Sequence, residues 1–265
     1  LRMSRGLGDV YKRQVLDWIE HFKELGINAI YFGPIFESVS HGYDTTDYYQ
    51  TDSRLGSKED FKKVFTALHE NGIRVIVDGV FNHVGRKFFA FLDVQKNLEQ
   101  SDYKDWFCNL NFSWQSPLGD SFSYENWHGA AELVKLNLRN PAVCEHLLGA
   151  VGMWMDELGI DGLRLDVAYC LDLGFLAELR GLANDIKPEF ALVGETLHGD
   201  YNRWMNDHAC HSVTNYECYK GLYSSFNTGN MHEISYSLNR QFGAEQWCLC
   251  LLYTSPSPRD MRRSR

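Results

Sequence analysis

Three times along this chain an apolar stripe of helical spacing runs into Glu-x-Gly and then directly into a short apolar strand. Val15, Ile19 and Phe22 lead through Glu24-Leu25-Gly26 to 28–32; Phe61, Val64 and Leu68 lead through Glu70-Asn71-Gly72 to 74–78; Val143, Leu147 and Val151 lead through Glu157-Leu158-Gly159 to 162–166. Residues three and four apart share one helix face, and glycine takes the left-handed backbone that ends the helix. Start signals agree, because Ser57 and Asp60 have capping-box spacing and Pro141 suits a first helical position. A helix over 173–186 precedes a fourth strand at 190–194, and a fifth is expected near 212–215. Alternating helices and strands make parallel β/α units with right-handed crossovers, in an open doubly wound sheet or a closed barrel. Periodicity does not choose between them. The excursion 84–137, rich in Trp, Phe, Tyr and Asn, is too long for a simple loop and reads as a small inserted subdomain.

The termini are expected to be foreign to this pattern. Residues 4–14 and 250–260 can be encoded by opposite strands of one DNA segment, which resembles the transposon adapter used in preparing sequencing libraries. Residues 1–14 and 250–265 are therefore set aside as non-native tails, leaving 15–249 as a body cut at both ends. Without the tails' eight basic and two acidic residues the formal charge falls from -9 to -15. So acidic a body argues against nucleic acid or an anionic membrane as partner. No apolar run is long enough to span a bilayer. The seven cysteines lack a CxxC pair or histidines at zinc spacing, which predicts free thiols and a cytoplasmic location. No glycine-rich phosphate loop follows the first of these strands, which weighs against nucleotide binding.

The chemistry sits where strands end. In Gly162-Leu163-Arg164-Leu165-Asp166, alternation puts Arg164 and Asp166 on one face, where the guanidinium is expected to lower the acid's pKa and keep it ionised. Glu195 follows the next strand, about 4.8 Å away if the two are neighbours. Carboxylates about 5 to 5.5 Å apart suit a retaining, double-displacement glycosidase, with Asp166 attacking the anomeric carbon and Glu195 as acid and base. Asp78, Asn82 and His83 form a third strand-end cluster, with His83 a donor to a sugar hydroxyl. Each group alone reads equally as a salt bridge, a strand cap or a core histidine; three at three strand ends favour a site. Trp106, Trp114 and Trp127 are either core aromatics or sugar platforms.

These motifs resemble a known family. Asp78-Gly79-Val80-Phe81-Asn82-His83, Gly162-Leu163-Arg164-Leu165-Asp166 and Gly194-Glu195 are similar, in order and separation, to the first three signature regions of the α-amylase family, glycoside hydrolase family 13. Leu133-Val134-Lys135-Leu136-Asn137, Phe91-Leu92-Asp93-Val94 and Tyr103-Lys104-Asp105-Trp106-Phe107 resemble its neopullulanase, cyclomaltodextrinase and maltogenic amylase group. The resemblance implies an α/β fold, an incomplete (β/α)8 TIM barrel with the subdomain inserted after its third strand, 74–78. It implies action on α-1,4 or α-1,6 bonds of maltodextrins, cyclodextrins or pullulan, with Asp166 as nucleophile and Glu195 as acid/base. Tyr43, Asp78, His83, Arg164 and His198 are the substrate-binding positions, Tyr43 by stacking on the cleaved sugar. No cofactor is firmly expected; calcium stays open, because Asn82 matches a position that binds it in some members although one amide oxygen is no coordination shell.

Tyr169-Cys170 stands where that group has Asn-Glu, and Leu197 where it has Trp, at positions implied to line the leaving-group side. The resemblance also implies that the first strand, the last two strands, the His-Asp region and an N-terminal dimerisation domain lie outside this chain. The polypeptide by itself is therefore expected to be inactive, its parent enzyme a homodimer. Rival readings are a transglycosidase or oligo-1,6-glucosidase with the same acids, and a non-catalytic scaffold like the amino-acid-transporter heavy subunit, which need not keep both.

Overall fold

The computed structural model describes residues 2–3, 15–245 and 250–252. In chain order the elements are β1 (Arg2–Met3), α1 (Ile19–Glu24), β2 (Ala29–Phe32), β3 (Phe36–Ser38), β4 (Thr45–Thr51), α2 (Lys58–Glu70), β5 (Arg74–Gly79), β6 (His83–Gly85) and α3 (Phe89–Asn97). Then come β7 (Asn126–Trp127), β8 (Ala130–Lys135), α4 (Pro141–Met153), β9 (Gly162–Leu165), α5 (Leu173–Ile186), β10 (Ala191–Gly194), β11 (Ser212–Thr214), α6 (Tyr216–Thr228), α7 (His232–Glu245) and β12 (Cys250–Leu252).

Seven strands form one all-parallel sheet in the order β1-β2-β5-β9-β10-β11-β12. Among the described residues no pairing joins β12 back to β1, so the barrel is incomplete. Arg2–Met3 and Cys250–Leu252 belong to the tails set aside above; the former occupies the β2 edge expected to lack a first strand. The rest of the tails lies outside the described residues.

The repeated phrase folds as its chemistry dictates. Gly26, Gly72 and Gly159 all have positive φ, 68°, 73° and 68°, at the ends of the three helices. Ser57 and Asp60 cap α2 reciprocally, and Asn140 caps α4, whose first residue is Pro141. One departure is local: α4 runs on into a π turn, Trp154–Leu158, before Gly159. That turn aims Trp154 inward, where it stacks on Phe36 at 3.8 Å between centroids and donates its indole N–H to the Tyr48 carbonyl at 2.7 Å. An outer helix is thereby tied to the β3–β4 hairpin that carries the loop 39–44.

Ile30, Val75, Val77, Leu163, Leu165 and Leu192 are fully buried, each worth about 1.5–3 kcal/mol in the folded state. The insertion after β5 is a three-stranded antiparallel sheet, β6-β8-β7, flanked by α3. It packs Phe91, Phe107, Phe122 and Tyr124 into a small aromatic core.

Candidate active site

Strand register brings the acids to one level. Leu165 of β9 pairs with Gly194 of β10, so Asp166 and Glu195 each stand one residue beyond a registered pair. Backbone bonds extend this alignment, from Glu195 N–H to the Leu165 carbonyl and from Asp166 N–H to the Gly79 carbonyl, both 3.0 Å. On the other side of β9, Asp78 is registered with Arg164.

Arg164 then binds all three acids. Its Nη1 donates to Asp78 Oδ1 at 2.9 Å and to Asp166 Oδ1 at 2.8 Å, and its Nη2 lies 2.7 Å from Glu195 Oε1. Side-chain exposure separates their roles: 0% for Asp78, 9% for Asp166 and 15% for Glu195. Asp78, expected to bind substrate, is instead sealed behind Arg164 and accepts the Tyr31 hydroxyl on its second oxygen. Only Asp166 and Glu195 of the three face the mouth.

The electrostatics correct the simple expectation for Asp166. Its carboxyl is pushed up to about 7, first by burial and then by Asp78, while Arg164 pulls the other way. One guanidinium divided among three carboxylates does not bring Asp166 below its ordinary value; it limits the rise. Asp78 is likewise raised, by burial above all, with Arg164 and the Tyr31 hydrogen bond opposing and Glu195 adding to the rise.

Val167, next to Asp166, adopts φ 41° and ψ 48°, a left-handed conformation unusual for a β-branched residue. Strain of about 1–3 kcal/mol is characteristic of such positions at functional sites. Its effect here is to aim the Val167 N–H at Glu195 Oε2, 3.0 Å away, while the Tyr216 hydroxyl donates to Oε1 at 3.3 Å. Burial lowers the His83 imidazole to about 4, so it is neutral near pH 7; its Nδ1 faces the Asn82 amide at 3.1 Å and its buried Nε2 has no hydrogen-bond partner among the described residues. Trp127 lies against it at 5.8 Å, its own indole N–H also buried with no partner among the described residues.

Tyr43 sits on a turn built by Asp44, whose carboxylate accepts from Ser40 Oγ and from the His41 and Gly42 N–H groups. The turn docks so closely on β6 that a Cβ on Gly85 would lie 2.4 Å from the Asp44 carbonyl. Tyr43 is near enough to Tyr31 to influence its ionisation, which puts it beside the cluster. His198 is not brought in: it is exposed on the loop after Glu195, with no hydrogen bond to the cluster among the described residues. Trp106 is core, Trp114 is 69% exposed, and Trp127 alone of the three tryptophans touches a site residue. Among the described residues no group of three or more His, Cys, Asp or Glu side chains is placed to hold a metal ion.

Tyr31, Val167 and Tyr216 were not identified from sequence. Tyr31 left one trace, a lone hydroxyl in the apolar strand Ala-Ile-Tyr-Phe; Val167 and Tyr216 left none.

Comparison with known proteins gives concordant results. The alpha amylase catalytic domain matches residues 4–245. A cyclomaltodextrinase of Bacillus sp. is 41% identical over 207 residues, 76% of this chain and 36% of that protein. Neopullulanase 2 of Thermoactinomyces vulgaris is 40% identical over 223 residues, 82% and 37% of the two chains. A solved cyclomaltodextrinase superposes with TM-score 0.81 and 34% identity, over 94% of this chain and 44% of that one. The chain thus spans little more than a third of the length of these curated relatives.

Proposed function

The chain belongs to the α-amylase catalytic-domain family, and on that premise we propose that it carries the catalytic centre of a retaining glycoside hydrolase acting on α-glucans. The observation that carries this reading is the bridging of Asp166 and Glu195 by the two terminal nitrogens of one guanidinium, at matched level on adjacent strands. Strand spacing of about 4.8 Å suits the short separation of double displacement better than the wider gap of an inverting enzyme.

Asp166 attacks the anomeric carbon and forms a glycosyl ester as the leaving oxygen takes a proton from Glu195. Glu195 then removes a proton from water, which attacks the same carbon and frees Asp166. Arg164 holds both acids, with Asp78 orienting it from behind; Tyr43 stacks on the cleaved sugar, His83 donates to its hydroxyl, and His198 contacts the chain at the rim.

The relatives named cyclomaltodextrinase and neopullulanase favour maltodextrins, cyclodextrins or pullulan as substrates, with α-1,4 bonds cleaved and α-1,6 bonds as a second class. The parent enzyme is proposed to be a homodimer. Five described cysteines are free thiols, which supports a cytoplasmic site of action. No helix among the described residues is long and apolar enough to cross a membrane.

We further propose that this polypeptide alone is inactive, because among the described residues its parallel sheet does not close into a ring. The test is to graft residues 15–245 into the Bacillus cyclomaltodextrinase in place of its matching segment, and to follow the product anomer by NMR. Initial release of the α-anomer supports the reading; the β-anomer overturns it. Maltodextrin hydrolysis by the ungrafted 265-residue chain would overturn the proposal of inactivity.

A further inference from the structure

Tyr31 has no part in the chemistry above, yet its hydroxyl donates to Asp78, the one acid of the site with no exposed side-chain surface. Arg164 Nη1 is shared between Asp78, at 2.9 and 3.1 Å, and Asp166, at 2.8 Å. We propose that Tyr31 is a positioning residue of this site, whose hydroxyl keeps Asp78 anionic and bound to Arg164 and so sets how the guanidinium is divided between Asp78 and Asp166. This rests on the glycosidase reading for the role of Asp166, but the coupling itself is a property of the cluster.

A buried carboxylate persists as an anion only while donors satisfy it. Asp78 has the Tyr31 hydroxyl and Arg164 as side-chain donors. Tyr31 is itself raised well above a normal phenol, first by burial and then by the Asp78 charge, so it stays a protonated donor. Remove the hydroxyl and Asp78 keeps the guanidinium alone, with Asp166 and Glu195 as like charges beyond it. Asp78 then takes up a proton, Arg164 serves two acids in place of three, and Asp166 loses the second-largest influence raising its pKa.

The groups that act on Asp166 and Asp78 come from every side of the cluster. They are Tyr31 on β2, Tyr48 on β4, Asp78 on β5, Arg164 on β9, Tyr169 and Cys170 in the turn after it, and Glu195 after β10. Tyr43 joins them through Tyr31. Of these Arg164 alone is a cation, which is why its division matters.

The experiment is carbon NMR on the 265-residue chain with aspartate labelled at the carboxyl carbon, titrated from acid to alkaline pH, with Asp166→Asn assigning the signal. In the unsubstituted chain the Asp166 midpoint is expected near 7. Tyr31→Phe, which deletes one oxygen, is expected to move it acidward by about 1 unit or more. Asp78→Asn should move it the same way, and the double substitution should add nothing further, because both act through one contact. A packing role alone leaves the midpoint unmoved; that result, or an alkaline shift, overturns the proposal. Should Tyr31→Phe not fold, the slowly exchanging Tyr31 hydroxyl proton serves instead: it is expected in the unsubstituted chain and lost in Asp78→Ala, which leaves no acceptor, and its persistence there overturns the proposal. Ionisation is read here without turnover, so this result stands or falls separately from the product-anomer test.

Discussion

The two ends of β9 each carry an aspartate, and they are treated in opposite ways. At the lower end, Asp161 accepts from Lys187 Nζ at 2.5 Å, from the Val75 N–H at 2.7 Å and stands 2.7 Å from His69 Nε2. Burial raises it, but the Lys187, Val75 and His69 hydrogen bonds bring it below the usual carboxylate range. At the upper end, Asp166 shares a single cation with two other acids and is pushed up to about 7. One strand thus has a satisfied end that fastens α2, β5 and the loop before β10 together, and an under-neutralised end that opens to the mouth. Barrel enzymes place their chemistry at the ends where strands finish and their stability at the ends where strands start.

Four substitutions test that contrast, from the largest effect to the smallest. Arg164→Met leaves three acids without a cation and should cost about 3–5 kcal/mol in urea unfolding at pH 7.5. The loss should shrink near pH 4.5, where protonation relieves the repulsion; an equal loss at both values would break the comparison.

Asp166→Asn should do the reverse and stabilise the fold at pH 8. The folded pKa, about 7, lies above the unfolded 3.8, so the folded state binds the extra proton and Asp166 costs stability increasingly as pH rises between them. Linkage sets the gain at about 2–4 kcal/mol above pH 7, vanishing below pH 4. Thermal unfolding across that range checks it, and a destabilised variant at pH 8 would contradict it.

Asp161→Asn should destabilise by about 1–2 kcal/mol at pH 7, since the three bonds to its carboxylate lose their charge assistance. Here the folded pKa is depressed, so the contribution is present above the unfolded value of 3.8 and is lost as pH falls through the folded one. Denaturant curves at pH 7 and pH 3 should therefore differ for this variant in the opposite sense to those of Asp166→Asn. Smallest is Gly159→Ala, two residues before Asp161, where φ of 68° disfavours a side chain and the new Cβ would lie 3.7 Å from His69 Cε1. About 1 kcal/mol is expected, read as a lower melting temperature without change in its pH dependence.

How much of this was legible depended on whether a property is local. The Glu-x-Gly phrases announced three helix ends, and the Ser57–Asp60 box was found as written, because caps and turns are decided within four residues. The level of Asp166 with Glu195 followed from strand periodicity plus the assumption of adjacency, which β9–β10 pairing satisfies. The Arg164–Asp166 ion pair was visible two residues apart, and Arg164 does pull the acid down, but the sign of the net shift was not visible. That sign depends on Asp78, 88 residues earlier in the chain, joining the same guanidinium, and on burial that no short segment displays. The sealing of Asp78 and the unusual backbone of Val167 were hidden for the same reason, being products of packing between strands. His198 shows the converse: three positions past Glu195, once the strand has ended, periodicity no longer fixes a side chain's place, and His198 stands exposed without a hydrogen bond to the cluster among the described residues.

The central claim is that Asp166 and Glu195 act as nucleophile and acid/base on one sugar. Incubating the cyclomaltodextrinase graft with a slow fluorinated glucosyl fluoride, then digesting it for peptide mass spectrometry, examines this most directly. A single glucosyl ester on Asp166, hydrolysed far more slowly when Glu195→Gln removes the base that activates water, is the expected result. A label on any other residue of 15–245, or turnover of the reagent with no covalent adduct, would contradict the account.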